Sequence, residues 1–470
     1  MSATATTEKK YLKWYQKLAY GSGDLASNCS YGLVSSFVLL YLTGTLGLDS
    51  AIIGSLMLAS KVLDGISDVI FGTLIDRTHS KLGKARPWML FGQVGVSLCL
   101  FLLFAIPAGS TTMQYIYFFI VYTALNAVFY TANGIAYSSL VALITKNNNE
   151  RVQLGSFRFM FAVVTNIFMG FAVTGMVEKF GSGAAGWRTT ALIFAIVGLV
   201  VNTISCLAVK ELPEEELSGN TSEAAEEGKA VAEEKKHGFA ETAKILVHNK
   251  YYLMILAIYI VYYIMSNLTT GAGVFCATYY WGDGSLLGQF SMMKMFPVII
   301  ALAIAPVLIK KTGSMQKVNF WGYAISSVLG IPMIYFAMQK NLSMFLLFKF
   351  IKGVFAGTLS GSLNALIAEA SGYTTRTTGV HMDGMMYSCS SLGVKVGGGI
   401  GTAAVGWLLK LGGFVGTATV QSESAIRMIF NLYITFPFVI GIIITVLLAF
   451  LDVEKANKKW DAEHQKEAQA

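Results

Sequence analysis

Apolar stretches of about 20 residues or more follow one another along almost the whole chain, and each is long enough to cross a bilayer's hydrocarbon core. Only 13% of the 470 residues are charged, whereas soluble domains carry about 25%. A water-soluble fold has too little interior to bury so many apolar faces. The sequence therefore predicts an all-α membrane protein with twelve transmembrane helices, at 19–44, 51–75, 88–108, 114–144, 158–177, 187–208, 251–280, 286–309, 318–338, 343–369, 382–410 and 427–451.

Lysine and arginine residues are unevenly distributed among the loops. They concentrate in the N-terminal tail and after the second, fourth and eighth predicted spans, and the intervening loops contain fewer. By the positive-inside rule both termini are then cytoplasmic, which requires an even number of spans. The formal charge of +8 suits loops that face the anionic lipids of a bacterial inner membrane. These scattered cations do not form the continuous basic face that nucleic-acid binding requires.

One long hydrophilic stretch, 209–249, follows the sixth predicted span and divides the chain into six spans plus six. This layout is typical of transporters in which two similar bundles rock about a central site. We predict a cytoplasmic N-terminal tail, a six-helix bundle, a cytoplasmic linker, a second six-helix bundle and a cytoplasmic C-terminal tail, at 1–18, 19–208, 209–249, 250–452 and 453–470. The five cysteines are far apart and lack metal-ligand spacing, so we expect no disulfide, metal cluster or cofactor.

The second predicted span carries three ionisable residues on one helical face, Lys61, Asp64 and Asp68. Two carboxylates one turn apart in a low-dielectric site repel each other, so they must bind a proton or share a cation. Hard cations prefer oxygen ligands, and Ser67 and Thr131 supply hydroxyl oxygens. We predict a Na⁺ or H⁺ site here. The alternative is a structural ion pair between Lys61 and Asp64.

Polar residues at helical spacing also occur in the first and fourth predicted spans. Asp24 and Asn28 are four residues apart, and so are Asn133 and Tyr137. Carboxylate, amide and phenol groups suit a polyhydroxylated ligand, although such residues also hold membrane helices together. Arg158 begins the fifth predicted span, where it either extends to the cytoplasmic interface or faces inward toward Asp24 or a ligand oxygen.

Several other cations lie within predicted spans. Lys395 is in the middle of the eleventh, next to glycines that allow another helix to approach, and we predict that it pairs with the carboxylates of the second span. The sequence leaves open the roles of Lys349, Lys352 and His381. Lysines near a span end, among them Lys294, more often extend to the interface.

The segment that joins the second and third predicted spans reads GTLIDRTHSKLGKARPW. We expect Gly72 to permit a close helix contact, and Asp76, Arg77 and Arg86 to form a cytoplasmic latch that holds one of two rocking states. The alternative is that these cations set topology alone.

From about residue 15 to 452 the chain resembles the glycoside–pentoside–hexuronide:cation symporter family of the major facilitator superfamily, which includes the melibiose permeases. The resemblance rests on YGSGDLASN, on LDGISD with GTLIDRTHSKLGKARPW, on NGIAYSSL, QLGSFRF and SNLTTGAGVFCATYYWGD, and on GVHMDGMMYSCSSLGVKVGGGIG. It implies a transporter of the major facilitator fold, not an enzyme. It also implies a small-molecule solute and a coupling cation as ligands, within membrane lipid, and we expect a monomer.

The resemblance assigns roles to individual positions. Asp64 and Asp68 match the cation-site carboxylates, Ser67 stands where an asparagine often lies, and Lys395 matches a lysine near that site. Asp24 matches a sugar-binding aspartate. Asn133, Tyr137 and Arg158 stand where melibiose carriers have an aspartate, a tryptophan and an arginine around the sugar.

The departures from the melibiose carriers concern the solute. Asn133 and Tyr137 replace an acid and a tryptophan, and Gly23 replaces a lysine. With fewer carboxylates in the pocket an anionic hexuronide becomes easier to bind, with Arg158 as its partner. The sequence predicts cation-coupled symport of a glycoside, pentoside or hexuronide by alternating access. The alternative is a lipid-like or drug-like solute on the same fold.

Overall fold

The computed structural model describes residues 9–213, 246–379, 383–418 and 420–467, which form helices and connecting turns without a β-strand. Helices are expected in lipid because each satisfies its backbone hydrogen bonds within its own segment. In the first half the helices are α1 (Trp14–Gly21), α2 (Gly23–Leu40), α3 (Ser50–Asp76), α4 (Arg86–Leu103), α5 (Thr111–Thr123), α6 (Thr131–Ile144), α7 (Asn148–Lys179) and α8 (Gly183–Leu207).

The second half follows the residues that the structure does not describe, 214–245. Its helices are α9 (Lys250–Phe275), α10 (Leu286–Thr312), α11 (Met315–Met338), α12 (Leu342–Thr378), α13 (Asp383–Leu392), α14 (Gly398–Leu411), α15 (Glu423–Phe430), α16 (Phe436–Phe450) and α17 (Val453–Glu467). His381, whose role the sequence left open, lies outside the described residues.

Eleven helical segments in the described ranges are long and apolar enough to cross a membrane. The helix α3 is not among these eleven, and it carries Lys61, Asp64 and Asp68 in its interior. Its 27 residues extend over about 40 Å, more than the roughly 30 Å of hydrocarbon. Counting α3 as a twelfth gives the number of spans that the sequence predicts.

The chain packs as two compact units, the first made mainly of α1–α8 and the second mainly of α9–α17. In the first, α2 packs against α7 and α8, α4 packs against α6 and α8, and α3 packs against α6. The core of this half includes Tyr20, Met89, Tyr137 and Leu140, all buried. Its first helix begins at Trp14, earlier than the predicted boundary at residue 19, because Leu12 and Lys17 are already buried in the bundle.

In the second unit, α9 packs against α14 and α16, and α11 packs against α12 and α16. Glycines of α14 and the turn before it permit the close contact with α9. A Cβ added at Gly397 or Gly401 would clash with the carbonyl oxygen of Ile260 or Ile264. Small residues four positions apart let membrane helices approach closely, as the sequence predicts for the glycines around Lys395.

Short π-helical turns interrupt several of the spans, at Tyr41–Thr45, Ala124–Tyr130, Cys276–Tyr280, Gly393–Gly397 and Asn431–Thr435. Such turns disturb the regular hydrogen-bond ladder and are frequent at functional sites. Thr131 follows the second turn directly, and its Oγ1 lies 2.9 Å from the carbonyl oxygen of Asn126. Lys395 and Tyr433 lie within the last two turns, so three polar side chains of interest sit at or beside irregular backbone.

Two glutamates from outside the spans bind the starts of transmembrane helices. Glu211 accepts hydrogen bonds from the backbone N–H groups of residues 84–86, at 2.7, 2.9 and 3.0 Å. Glu454 accepts from the N–H groups of Met315 and Gln316, at 2.8 and 3.1 Å, and from the hydroxyl of Ser314. The first N–H groups of a helix lack intrahelical partners and favour a negative charge. The starts of the predicted linker and C-terminal tail are therefore packed parts of the two halves.

Candidate functional site

A tight ion pair joins α2 to α7 in the first half. The Nε of Arg158 donates to a carboxylate oxygen of Asp24 at 2.6 Å, and both side chains are three-quarters or more buried. The guanidinium also lies over the ring of Tyr137, 4.2 Å from its centroid. A charge-assisted hydrogen bond of this length is a strong one. Of the two alternatives that the sequence left open for Arg158, the structure shows the inward-facing one.

Two asparagines extend this polar cluster along the same helices. The amide of Asn166 donates to Asn28 Oδ1 at 2.9 Å, and the amide of Asn28 donates to the carbonyl oxygen of Asp24 at 2.7 Å. The sequence analysis missed Asn166. The spacing could have indicated Asn166, because a residue eight positions after Arg158 lies on the same face of a helix. Asp24, Arg158, Asn28 and Asn166 are all partly exposed, so they form a polar surface that a solute can contact.

Asn133 and Tyr137 do not join that surface. Asn133 is 3% and Tyr137 2% exposed. The amide of Asn133 donates to Gln93 Oε1 at 2.6 Å, and the hydroxyl of Tyr137 donates to the carbonyl oxygen of Tyr20 at 2.7 Å. In this structure they hold the helices of the first half together, which is the alternative that the sequence analysis gave. Their contact with a solute stays a prediction.

Gly23 and Tyr137, two departures from the melibiose carriers, are adjacent in space. A Cβ added at Gly23 would lie 2.8 Å from the ring of Tyr137 and 2.8 Å from Ser205 Oγ. No side chain fits at position 23 while the tyrosine ring lies there, because real Cβ contacts are longer. The glycine is thus required by the buried position of the tyrosine.

The predicted cation-site residues gather around Asp64. Thr131 Oγ1 donates to Asp64 Oδ1 at 2.7 Å, and Lys61 Nζ lies 3.4 Å from Oδ2. Ser67 Oγ donates to the backbone carbonyl of Asp64 at 2.9 Å. Asp68 is partly buried one turn further along α3. The structure therefore brings together carboxylate and hydroxyl oxygens from α3 and α6, the donor set that a hard cation prefers.

Lys61 forms the ion pair with Asp64 that the sequence analysis gave as the alternative to a cation site. Its ammonium also lies 5.9 Å from the ring centroid of Tyr31, which stacks on Tyr130. A cation that bound Asp64 Oδ2 would compete with this ammonium for the same oxygen. The arrangement is compatible with a site in which Lys61 and the coupling ion alternate.

Lys395 is partly buried in the turn Gly393–Gly397 of the second half. Its pairing with the carboxylates of α3 stays a prediction. The predicted latch residues Asp76 and Arg77 are exposed at the end of α3, and their role also stays a prediction.

The other two latch residues differ from expectation. Arg86 is 8% exposed and donates to the backbone carbonyls of Cys206 and Leu82, at 3.2 and 3.3 Å, so it anchors the start of α4 within its own half. A Cβ added at Gly72 would meet no described atom within 4 Å. The expected close helix contact at Gly72 is therefore wrong for this structure, because the space beside α3 is open there.

Three lysines that the sequence left without a role line a cavity of about 190 Å³ in the second half: Lys294, Lys349 and Lys352. All three are partly buried and contribute to the wall of this cavity.

The geometry and the apolar helices together describe a membrane carrier, and comparison with known proteins specifies its type. Residues 19–455 match the family described as MFS/sugar transport protein. The chain belongs to this family. It is therefore an all-α, multi-pass transporter of the major facilitator fold, and not an enzyme. The fold class and family predicted from the sequence are confirmed.

Individual relatives are similar to the transporter over most of their length. The isoprimeverose transporter of Lactiplantibacillus pentosus is 26% identical over 466 residues, which cover 98% of this chain and 93% of the relative. The inner membrane symporter YicJ of Escherichia coli is 25% identical over 426 residues, which cover 90% and 88%. Among solved structures, a bacterial homologue of the human lysosomal transporter Spinster superposes with a TM-score of 0.69 at 13% identity, covering 95% of this chain and 98% of that one. This last likeness concerns the fold alone.

Proposed function

We propose that the transporter is a symporter that couples the entry of Na⁺ or H⁺ to the uptake of a glycoside, pentoside or hexuronide by alternating access. The observation that carries the proposal is the cluster at Asp64, where Lys61 of α3 and Thr131 of α6 converge on a single carboxylate. Ionisable residues inside a membrane are costly, and such groups mark ion pathways. The relatives named as symporters and as an isoprimeverose transporter support the same class.

The cation acts on the charge balance of α3. Without it, Asp64 is neutralised by Lys61 at 3.4 Å. A bound Na⁺ or proton at Asp64 releases the ammonium of Lys61 and reduces the repulsion between Asp64 and Asp68. If solute binds better to the cation-loaded protein, linkage requires that the cation also binds better to the solute-loaded protein. That reciprocity is the coupling.

The solute contacts the polar surface of α2 and α7, made by Asp24, Asn28, Arg158 and Asn166. Carboxylate oxygens accept from sugar hydroxyls, and the amide and guanidinium groups donate to them. These side chains already bond to one another at 2.6–2.9 Å, so the surface is organised before the solute arrives.

Both termini lie in the cytoplasm by the positive-inside rule, as expected for a carrier of the inner membrane.

The experiment is uptake of labelled glycosides, pentosides, hexuronides and lipid-like solutes into proteoliposomes, with Na⁺, Li⁺ or proton gradients imposed separately. The parent protein should concentrate one class only when a cation gradient is present. Asp64→Asn should lose that accumulation, whereas Asp461→Asn, which changes an exposed aspartate of α17, should retain it.

If Asp64→Asn accumulated the solute as well as the parent does, the proposed cation site at Asp64 would be wrong. Uphill transport of lipid-like solutes alone would replace the sugar class by the alternative solute.

A further inference from the structure

The cavity of about 190 Å³ in the second half lies among α9, α10, α12 and the segment that contains Tyr433. Its volume is below the roughly 300–1,000 Å³ of sites for drug-sized ligands, so it fits a small solute or one end of a larger one. Hydroxyl-bearing side chains from α9 and α11 contribute to its wall, namely Tyr262, Ser266, Thr269 and Tyr323. Apolar side chains, among them Met265, Met333 and Ile434, form most of the remaining wall, so the cavity offers a solute both hydroxyl groups and apolar surface.

The three lysines enter this cavity from two helices. Lys349 and Lys352 are three residues apart on α12 and so lie on one helical face. Lys294 comes from α10 and donates to Thr270 Oγ1 at 3.0 Å. Each is partly buried, several residues inside a membrane-spanning helix. Three lysine residues thus line one small cavity.

Lys349 is held in an aromatic cage. Its Nζ lies 4.0, 4.8 and 5.7 Å from the ring centroids of Tyr433, Phe290 and Phe345, and it donates to the hydroxyl of Tyr433. Aromatic faces attract cations and hold the ammonium in place without cancelling its charge. The group is therefore positioned and still available to an anion.

No acid balances these charges locally. The residues that line the cavity include three lysines and no aspartate or glutamate. Among the described residues of the second half, none of the three lysines forms an ion pair. Burying several like charges without a counter-ion is costly, and a bound anion removes that cost. In the first half the comparable cation, Arg158, is already paired with Asp24.

We propose that this three-lysine cavity binds the anionic group, a carboxylate or a sulfonate, of the transported solute. The inference rests on the proposed function and narrows its substrate class to polyhydroxylated acids. Lys349 and Lys352 contact the acid, Lys294 adds a third positive charge, and the hydroxyl side chains of the wall contact the carbon skeleton. The acid-binding role that the sequence gave to Arg158 passes to these lysines.

The test compares acids with neutral partners of the same shape. The purified full-length protein, in nanodiscs of zwitterionic lipid, is titrated with methyl glucuronide and methyl glucoside, and with 2,3-dihydroxypropane-1-sulfonate and glycerol. Calorimetry should show tighter binding of the acid in at least one pair. Lys349→Gln and Lys352→Gln should each weaken acid binding about tenfold, the effect of losing one hydrogen bond to a charged group. Lys349→Arg should retain most of it.

Lys317→Gln is the matched control, because Lys317 is an exposed lysine of the same half at the start of α11. It should leave acid binding unchanged. Melting temperatures of all variants identify misfolding, and two single variants at different positions keep the test open if one of them does not fold.

Several outcomes overturn the inference. These are equal affinity for acid and neutral partner in both pairs, failure of both acids to bind, and glutamine variants that bind the acids as well as the parent. Loss of acid binding in nanodiscs that contain anionic phospholipid would assign the cavity to a lipid headgroup instead.

Uptake in proteoliposomes separates this inference from the symport proposal. Lysine-dependent acid binding without cation-driven accumulation would leave the cavity site standing and remove symport. Cation-driven accumulation of neutral glycosides that is insensitive to the lysines would do the reverse.

Discussion

The guanidinium of Arg158 donates a 2.6 Å hydrogen bond to the carboxylate of Asp24, and it simultaneously covers the ring of Tyr137. Asp24 and Arg158 thus neutralise each other inside the first half. A solute that bound Arg158 alone would have to displace Asp24 and leave that carboxylate buried without its counter-ion. The pair therefore acts as a single dipolar group toward a solute.

This pairing predicts a compensating double variant. Asp24→Asn and Arg158→Gln should each lower uptake strongly, because each leaves one partly buried charge without its partner. The combination Asp24→Asn with Arg158→Gln should be less thermally destabilised than the sum of the single changes. Melting temperatures and initial uptake rates complete the cycle. Arg376→Gln, which removes a more exposed ion pair of the second half, is the control. Additive effects of the two changes would show that the contact carries no coupling.

A second prediction concerns the hydroxyl of Thr131, which is bonded to Asp64 Oδ1 at 2.7 Å. Thr131→Val keeps the shape of the side chain and removes the oxygen. If Na⁺ is the coupling ion, the Na⁺ concentration for half-maximal uptake should rise about tenfold, equivalent to about 1.4 kcal/mol, because the ligand set of a hard cation loses one hydroxyl oxygen. Thr73→Val on α3, where the hydroxyl bonds only to the carbonyl of Val69, should leave it unchanged. An unaltered cation dependence in Thr131→Val would remove this residue from the site.

Replacing Lys61 should have the opposite effect on the cation concentration for half-maximal uptake. If its ammonium competes with the cation for Asp64, Lys61→Met should lower the cation concentration for half-maximal uptake, because the competitor is gone. If Lys61 only locks the bundle, the same change should lower the melting temperature and leave cation dependence intact. Uptake titrations and thermal unfolding of one variant distinguish the two roles.

Replacing Tyr137 tests whether its hydroxyl holds the bundle together, as in the structure, or contacts the solute, as the family resemblance implies. Its hydroxyl donates to the backbone of Tyr20, and the side chain is buried. Tyr137→Phe should therefore cost about 1 kcal/mol of stability and leave the KM of the solute unchanged. A large increase in KM with an unchanged melting temperature would instead place the hydroxyl on the solute, as the resemblance implies.

The fold was predictable because span length and apolar content are strong signals that do not depend on neighbours. The cluster at Asp64 was predictable for a related reason. Lys61, Asp64 and Asp68 lie on one helix, so their spacing alone determines that they share a face.

What the sequence could not provide was the direction in which a polar face points. Asn133 and Tyr137 share a face of α6, yet their side-chain amide and hydroxyl donate to Gln93 and Tyr20 within the bundle, and the guanidinium of Arg158 covers the Tyr137 ring. Helix rotation is set by packing against neighbours, which spacing within one helix does not encode.

The sequence likewise could not show whether the lysines of α12 lie at the end of the span or inside the protein. The predicted tenth span began at 343, and the helix is in fact Leu342–Thr378, longer than the prediction at its far end. Lys349 lies near the start of either range, which is why an interfacial position was the reasonable expectation. Only the aromatic rings of Phe290 and Tyr433, from other segments, turn its ammonium inward.

Glu211 and Glu454 close helix starts in their own halves, one just before the undescribed residues 214–245 and the other after the last span. A break in the polypeptide anywhere within 214–245 would leave each fragment with the acid that completes its own bundle. The carboxylate that each of these helix starts requires is thus encoded on the same side of that segment as the helix itself.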